Sequence, residues 1–241
     1  MRPGSPRLWI SVFLLVASTV IALPEDPKSA PKPAAKGSVV QTKESQAAMT
    51  PVKALDALKE GNKRFRAGTS VQKDLMAKVK ASAPQQYPFA VVLGCMDSRV
   101  PAEAVFDQSI GDVFNIRVAG NVVNVDNLGS LEYAAKVIGV KTIVVLGHTA
   151  CGAVKGAIDD VKLGNLTELV GKIQPAIKAS GPGTSKDYAY VDKVGEANVR
   201  LAMKEIRAKS PVLKEMLDAG SVGMVGAMYD LKTGAVAFLA D

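Results

Sequence analysis

The chain has 241 residues, a formal net charge of +7 and a hydrophobic share of 48%. This length allows one domain with a sizeable core, and the positive charge invites comparison with nucleic-acid-binding proteins. The lysines and arginines are scattered, however, and no run of them is interleaved with aromatic residues. Composition therefore argues against a nucleic-acid partner.

Residues 1–22 have the pattern of an export signal. Arg2 and Arg7 precede an apolar run over residues 8–23, in which small residues lead to Ala22. Cleavage after Ala22 removes two positive charges from the net +7, which leaves +5 on an exported, periplasmic protein with no stable membrane insertion. The run is short for a membrane span, which needs about twenty apolar residues. An uncleaved segment that tethers the protein to the membrane is the alternative.

Residues 23–49 are rich in Pro, Lys, Ala, Ser and Gln, a composition that buries little apolar area. We predict a flexible linker there. Thr50 and Pro51 then have the residue types of a helix N-cap and a first helical position. Since no internal repeat follows, residues 50–241 are predicted to form one domain.

Two short apolar runs, residues 89–94 and 142–147, are typical of buried parallel strands. Between them, apolar residues recur at helical spacing over residues 127–139, and a glycine ends the pattern. Strand, crossover helix and strand make a βαβ unit. In open sheets of this kind, ligands bind outside the carboxyl ends of the strands.

The end of the chain is predicted to form a hairpin. Residues 224–229 and 235–239 read as strands, and residues 230–234 supply the turn. The predicted fold class is therefore α/β, with a central, mostly parallel β-sheet flanked by helices and a C-terminal strand hairpin.

Both cysteines and the only histidine of the chain lie at the ends of the two apolar runs. Cys95 follows the first run, and His148 and Cys151 follow the second. Two thiolates and an imidazole can fill three corners of a tetrahedral Zn²⁺ site, and a catalytic zinc keeps its fourth corner exchangeable. Asp97 is placed to act as that exchangeable fourth ligand. The alternative is a disulfide between the cysteines, with His148 an ordinary polar residue.

The two motifs and two flanking segments resemble those of a known protein family. The sequences CMDSRVPAE at residues 95–103 and GHTACGA at residues 147–153 resemble the β-class carbonic anhydrases, here of an exported bacterial type. LKEGNKRF at residues 58–65 is similar to the amino-terminal helix of that family, and Ala119–Asn121 to the segment after its central strand. The resemblance covers about residues 50–241 and implies the β-carbonic anhydrase fold.

The resemblance also implies an activity, the reversible hydration of carbon dioxide to bicarbonate and a proton. Cys95, His148 and Cys151 would hold the Zn²⁺ cofactor. Asp97 and Arg99 would form the catalytic dyad, in which two parallel hydrogen bonds from the guanidinium hold the carboxylate.

Other expectations concern substrate and assembly. Zinc hydrolases of the same fold that act on carbon disulfide or carbonyl sulfide share the ligands, so such a hydrolase is the alternative function; in both cases the partner is a small-molecule substrate. The resemblance further implies a homodimer or homotetramer, in which the helix around residues 55–65 reaches over a neighbouring subunit.

Three further positions carry weaker expectations. Gln108 lies one residue away from the register of a substrate-binding glutamine in plant-type relatives, and a loop-capping amide is its alternative role. Gly152 is expected to allow close backbone approach near the metal, or else only a turn into a helix. Val92 stands where relatives with a regulatory bicarbonate pocket have Trp, so we predict no such regulation although Arg117 and Tyr229 match.

Overall fold

The computed structural model describes residues 40–240 of the chain. Its five strands are β1 (Ala90–Gly94), β2 (Val113–Arg117), β3 (Thr142–His148), β4 (Gly223–Tyr229) and β5 (Val236–Phe238). They form one sheet in the order β2-β1-β3-β4-β5, in which only the β4–β5 pair is antiparallel. The predicted α/β class with a mostly parallel sheet and a terminal hairpin is confirmed.

Helices flank this sheet. They are α1 (Lys43–Ala47), α2 (Pro51–Arg66), α3 (Leu75–Ser82), α4 (Ala102–Val105), α5 (Val125–Glu132), α6 (Gly152–Ile158), α7 (Gly164–Gly171), α8 (Gln174–Ser180), α9 (Tyr188–Lys209) and α10 (Pro211–Asp218). Helix α2 begins as predicted, because the Thr50 side chain accepts the Lys53 N–H and Pro51 occupies the first helical position. In residues 40–240, no helix has both the length and the apolar character needed to cross a membrane.

The connection between β1 and β3 differs from the predicted βαβ unit. The two strands are parallel neighbours, but the chain forms β2 before it reaches the crossover helix. The crossover is α5, continued by a π-helix over Tyr133–Ile138, and Gly139 ends it with φ of 90°. The strand that precedes Ala119–Asn121 is β2, which lies at the edge of the sheet rather than at its centre.

Apolar side chains cover both faces of the sheet. Along β1, Val91 and Leu93 pack with α9 and α10, while Ala90 and Val92 point to the opposite face, as the period of two requires. Helix α2 packs on this second face through Leu58. Burial on both faces explains why β1 and β3 are continuous apolar runs. Because β1 and β3 are parallel neighbours, their carboxyl ends lie at one common edge of the sheet.

The predicted flexible linker is wrong at its carboxyl end. Residues 43–47 form α1, which begins with a capping box between Thr42 and Ser45. The buried side chain of Gln46 donates a hydrogen bond to the Pro88 carbonyl at 2.7 Å, next to the start of β1. The polar composition did not predict α1, because hydrogen bonds rather than apolar packing hold this helix in place. The predicted signal peptide at residues 1–22 and the linker to residue 39 lie outside the described residues.

A buried carboxylate ties the loop after α4 to the segment after α2. The Asp107 side chain is fully buried and accepts hydrogen bonds from Arg64 and Lys73. Burial by itself raises the pKa of Asp107, but the two cations outweigh burial and leave the pKa below its ordinary value. Asp107 therefore stabilises the fold when ionised.

We expect Asp107→Asn to lower the free energy of unfolding at neutral pH by about 1.5–3 kcal/mol, the range for hydrogen bonds to charged groups. Because the folded pKa is lowered, this stabilisation is complete above the unfolded pKa of about 3.9 and is lost as the pH falls through the folded pKa. Urea unfolding at several pH values should show the variant and the parent converging in acid.

Asp160→Asn is the matched control. Asp160 also has a positive φ, 51° against 48° for Asp107, but its side chain is 70% exposed beside Lys162. Asn tolerates this backbone conformation, so the control should match the parent protein at every pH. A constant difference for Asp107→Asn down to strongly acidic pH would contradict the assignment.

Candidate metal centre

The cysteines and the histidine meet at the carboxyl edge of the sheet. Cys95 directly follows β1, His148 is the last residue of β3, and Cys151 is the N-cap of α6. Since β1 and β3 are parallel neighbours, their ends bring the first two side chains together, and a two-residue link brings the third. All three side chains are buried.

The geometry of the three donor atoms suits a metal ion. The two Sγ atoms and a ring nitrogen of His148 all lie within 4.8 Å of one another. The Sγ atoms of Cys95 and Cys151 are 4.0 Å apart. Two thiolates at tetrahedral positions, each about 2.3 Å from a zinc ion, would be about 3.8 Å apart. A disulfide bond would hold them at about 2.05 Å, and both cysteines are free.

His148 presents a free nitrogen to this cluster. Its Nδ1 donates to the Thr149 carbonyl at 2.9 Å, which leaves Nε2 with a lone pair. Nε2 is buried and has no hydrogen-bond partner in residues 40–240. A buried polar atom without a partner is costly in a folded protein, whereas a metal ion at this position would satisfy it. A second hydrogen bond that orients the ring is usual for metal-ligating histidines.

The cluster also concentrates negative charge. A hydrogen bond from the Cys151 thiol lowers the pKa of Cys95 to about 4, helped by the backbone N–H of Gly120 at 3.4 Å from Sγ. The hydrogen bond with Cys95, together with burial, raises the pKa of Cys151. Burial lowers the pKa of His148, but the neighbouring Cys95 sulfur outweighs it and raises the pKa overall. The site therefore favours a cation, and a bound metal would displace the remaining thiol proton.

A carboxylate clasped by an arginine lies beside the three donors. Arg99 donates from Nε to Oδ1 of Asp97 at 2.9 Å and from Nη2 to Oδ2 at 2.7 Å. These hydrogen bonds hold the pKa of Asp97 well below its usual range. Oδ2 of Asp97 lies 3.9 Å from Nε2 of His148. The Arg99 backbone N–H also donates to Oδ1, at 3.0 Å, so the carboxylate is ionised, oriented by three hydrogen bonds and close to the nitrogen assigned to the metal.

Known proteins share these features. A family model described as carbonic anhydrase matches residues 90–236. Carbonic anhydrase 2 of Mycobacterium tuberculosis is 39% identical over 190 residues, which cover 76% of this chain and 90% of that protein. The chain belongs to the β-carbonic anhydrase family. The family predicted from the paired motifs is thereby confirmed, as is the prediction of a carbonic anhydrase enzyme.

Solved structures agree with this assignment. The β-carbonic anhydrase CafA of Aspergillus fumigatus matches with a TM-score of 0.64 and 26% identity, over 78% of this chain and 92% of that one. One of two tetrameric β-carbonic anhydrases of Sordaria macrospora matches with a TM-score of 0.60 and 25% identity, over 67% of this chain and 85% of that one.

In this β-carbonic anhydrase, Arg117 secures the segment that carries Cys95 and Asp97. Its Nε donates to the Cys95 carbonyl at 3.1 Å, and its Nη2 donates to the Asp97 carbonyl. Val92 is fully buried in the sheet. The guanidinium of Arg117 thus supports the backbone of the metal centre. That the protein lacks a regulatory bicarbonate pocket stays a prediction.

The structure gives the local surroundings of the two remaining candidates, Gln108 and Gly152, whose substrate-binding role stays a prediction. The Gln108 amide donates to the Phe106 carbonyl at 2.7 Å, its one side-chain hydrogen bond in residues 40–240, which favours the loop-capping role. Gly152 opens α6, and a Cβ added there would meet no atom within 4 Å. Gly152 therefore forms the turn into α6, and close backbone approach to the metal at this residue stays a prediction.

Sequence reasoning missed several polar contacts that position the ligands. Besides Arg117, the Gly120 N–H points at the Cys95 sulfur, and the Asp192 carboxylate accepts the Ala150 N–H. Asp192 lies forty residues beyond the histidine motif, on α9, and nothing in its local sequence marks it. The position of Ala150 was one indication of a turn, because this residue stands between two predicted ligands and the backbone must turn sharply there.

Proposed function

We propose that this protein catalyses the reversible hydration of carbon dioxide to bicarbonate and a proton, with Zn²⁺ held by Cys95, His148 and Cys151. The observation that carries the proposal is the convergence of two thiols and a partnerless buried imidazole nitrogen beside a clasped carboxylate. Two sulfur donors and one nitrogen donor suit zinc, which binds them tetrahedrally and leaves one position open.

The metal would supply one property, a lower pKa of bound water, from about 15.7 to about 7. The protein supplies the rest. Arg99 keeps both Asp97 oxygens engaged, which would orient the carboxylate as a hydrogen-bond acceptor for a bound water and keep it off the metal. Released from Arg99, Asp97 is close enough to serve as the exchangeable fourth ligand. The dyad thus controls access to the open metal position.

The decisive experiment combines metal analysis with two assays on the purified protein. We expect about one zinc per chain and rapid carbon dioxide hydration in stopped-flow measurements. Protein without bound zinc, or zinc protein without hydration activity, would contradict the proposal. The same sample assayed for sulfide release from carbon disulfide and carbonyl sulfide tests the alternative hydrolase, which predicts faster turnover of the sulfur compounds.

Proton release gives a further prediction. Histidine is the side chain best suited to carry a proton near neutrality, but the chain has one histidine, His148, and it is assigned to the metal. The proton must therefore leave through water, Asp97, a tyrosine or dissolved buffer. At saturating carbon dioxide, kcat should rise with the concentration of an imidazole-type buffer and then level off, while kcat/KM hardly changes.

The control is a buffer of the same ionic strength whose pKa lies far from the assay pH, which should not raise kcat. A kcat that stays constant when the imidazole buffer is diluted to the low-millimolar range would mean that an internal relay exists and that the prediction is wrong.

A homodimer or homotetramer is also proposed. Strand β2 has no strand partner on its outer side in the described residues, and Val125 and Tyr133 are 78% and 48% exposed beside it. Exposed apolar groups of this kind mark interaction surfaces, and the Sordaria macrospora relatives are tetrameric. We expect light scattering to give an oligomer that Val125→Glu weakens. Leu163→Glu is the control, at an apolar residue that is 67% exposed and lies in the loop before α7. A fully active monomeric parent would refute the proposal.

Export to the periplasm is proposed from the leader sequence alone. Residues 1–22 have the charge and apolar pattern of a signal peptide. The intact mass of the protein recovered from a periplasmic extract should correspond to a chain that begins at Leu23. A full-length mass in the membrane fraction would favour the tethered alternative.

A further inference from the structure

The turn between two of the metal-centre residues has an unfavourable backbone conformation. Ala150 lies between His148 and Cys151 with φ of 55°, in the left-handed region that non-glycine residues rarely adopt. Residues in such conformations persist where the surroundings hold them. A specific contact is therefore expected to hold Ala150 in this conformation.

The contact comes from a distant helix. Oδ1 of Asp192, on α9, accepts the Ala150 N–H at 2.7 Å, a short charge-assisted hydrogen bond. In residues 40–240, the Asp192 carboxylate makes no ion pair and no other hydrogen bond. It is not needed to cap α9 either, because Asp187 accepts the N–H groups of Ala189 and Tyr190.

Asp192 also has a firm support. Its helix neighbours Val191 and Val194 are buried in the apolar cluster that contains Cys95 and Cys151. The helix therefore fixes the carboxylate relative to both thiols, and a site held by a rigid element is held precisely. The residue before Ala150 is secured separately, since Thr149 N donates to the Tyr229 carbonyl and Thr149 Oγ1 accepts the Leu231 N–H.

The geometry points to Asp192 as a positioning residue of the metal centre. It keeps Ala150 left-handed, so that the sulfur of Cys151 faces the cluster that includes His148 and Cys95. Without this hydrogen bond, the turn relaxes toward an ordinary conformation and Cys151 leaves its place. This inference rests on the metal site proposed above, but it assigns the role to a residue outside both motifs.

The test measures zinc affinity rather than activity. Zinc dissociation constants are obtained by competition with a chromogenic chelator, and melting temperatures are recorded with and without zinc. We expect Asp192→Ala to weaken zinc binding about 10- to 100-fold, the range for residues that orient metal ligands. Asp192→Asn keeps an oxygen acceptor and should restore most of the affinity.

Two comparisons separate positioning from simple fold stabilisation. Asp187→Ala removes a carboxylate that caps the same helix, and it should lower both melting temperatures without changing zinc affinity. Glycine adopts a positive φ without strain, so Ala150→Gly should make the turn independent of Asp192. In that background, Asp192→Ala should change zinc affinity by less than about threefold. This is well below the tenfold minimum expected in the parent protein, because the glycine carries no strain for Asp192 to offset.

The outcomes are distinguishable. If the parent protein binds no zinc, the proposed function fails. If the parent binds zinc and Asp192→Ala binds it equally well, or if the full loss persists in the Ala150→Gly background, only the role of Asp192 is refuted. Should Asp192→Ala fail to fold alone, recovery of folding and zinc binding by Ala150→Gly would support the role of Asp192, and no recovery would refute it.

Discussion

Replacement of any one of Cys95, His148 and Cys151 should remove the metal and the activity together. A site with three protein ligands should lose most of its affinity when one is removed, because two remaining protein ligands are too few to hold the ion. We expect Cys151→Ser and His148→Ala to be isolated with far less than one zinc per chain. Their kcat/KM for carbon dioxide should fall by more than about 100-fold, which is the upper end of the effect of residues that only support ligands.

Met96→Ala is the matched control. Met96 adjoins Cys95 in the chain, but its side chain is 62% exposed and contributes no ligand atom. The variant should keep its zinc and its activity. Full metal occupancy in His148→Ala, measured by atomic emission on the dialysed protein, would show that Nε2 of His148 is not a ligand.

Asp97→Asn should have the opposite metal phenotype and a comparable loss of activity. The three metal ligands remain, so zinc occupancy should not change. The amide presents an N–H group where the carboxylate presents only acceptor oxygens, and loss of one oriented hydrogen bond in an active site costs about 10²- to 10³-fold. Stopped-flow hydration together with metal analysis of the same sample measures both quantities. Turnover equal to that of the parent protein would mean that Asp97 is not part of the catalytic dyad.

Arg99 allows a second test of the same pair. Arg99→Ala removes both side-chain hydrogen bonds to the Asp97 carboxylate and leaves only the backbone N–H of residue 99 on Oδ1, so that Oδ2 is free to turn toward the metal as a fourth ligand. X-ray absorption of the zinc protein should detect an added protein oxygen, and activity should fall. Arg99→Lys keeps the charge but cannot form the paired hydrogen bonds, so it should restore activity only in part. Lys162→Ala, which likewise removes one exposed positive charge, is the control for the change in net charge.

The metal centre could be predicted from sequence because its ligands follow two strands that are buried on both faces. Such strands are continuous apolar runs, and their ends are easy to locate. Neighbouring parallel strands then bring Cys95 and His148 together, although 53 positions separate them in the chain. Residue type and topology were sufficient to find the ligands.

The structural features that could not be predicted from the sequence have physical causes as well. Strand β2 lies at the edge of the sheet and includes Asn115 and Arg117, so it lacks the apolar run of a central strand. Helix α1 is held by a capping box and by the hydrogen bond of Gln46, neither of which gives an apolar period. The role of Asp192 depends on how α9 packs against the ligand turn. Contacts of this kind are set by tertiary structure and leave no local pattern.

The tautomer of His148 has a consequence for spectroscopy. Because the chain contains one imidazole, its two ring nitrogens give the only histidine side-chain signals in a ¹⁵N NMR spectrum, and these need no assignment by mutagenesis. Nδ1, which donates to the Thr149 carbonyl, should retain its proton in both the metal-free and the metal-loaded protein. The Nε2 resonance should shift when an ion binds. Every event at the metal centre can thus be followed through a single reporter already present in the native chain.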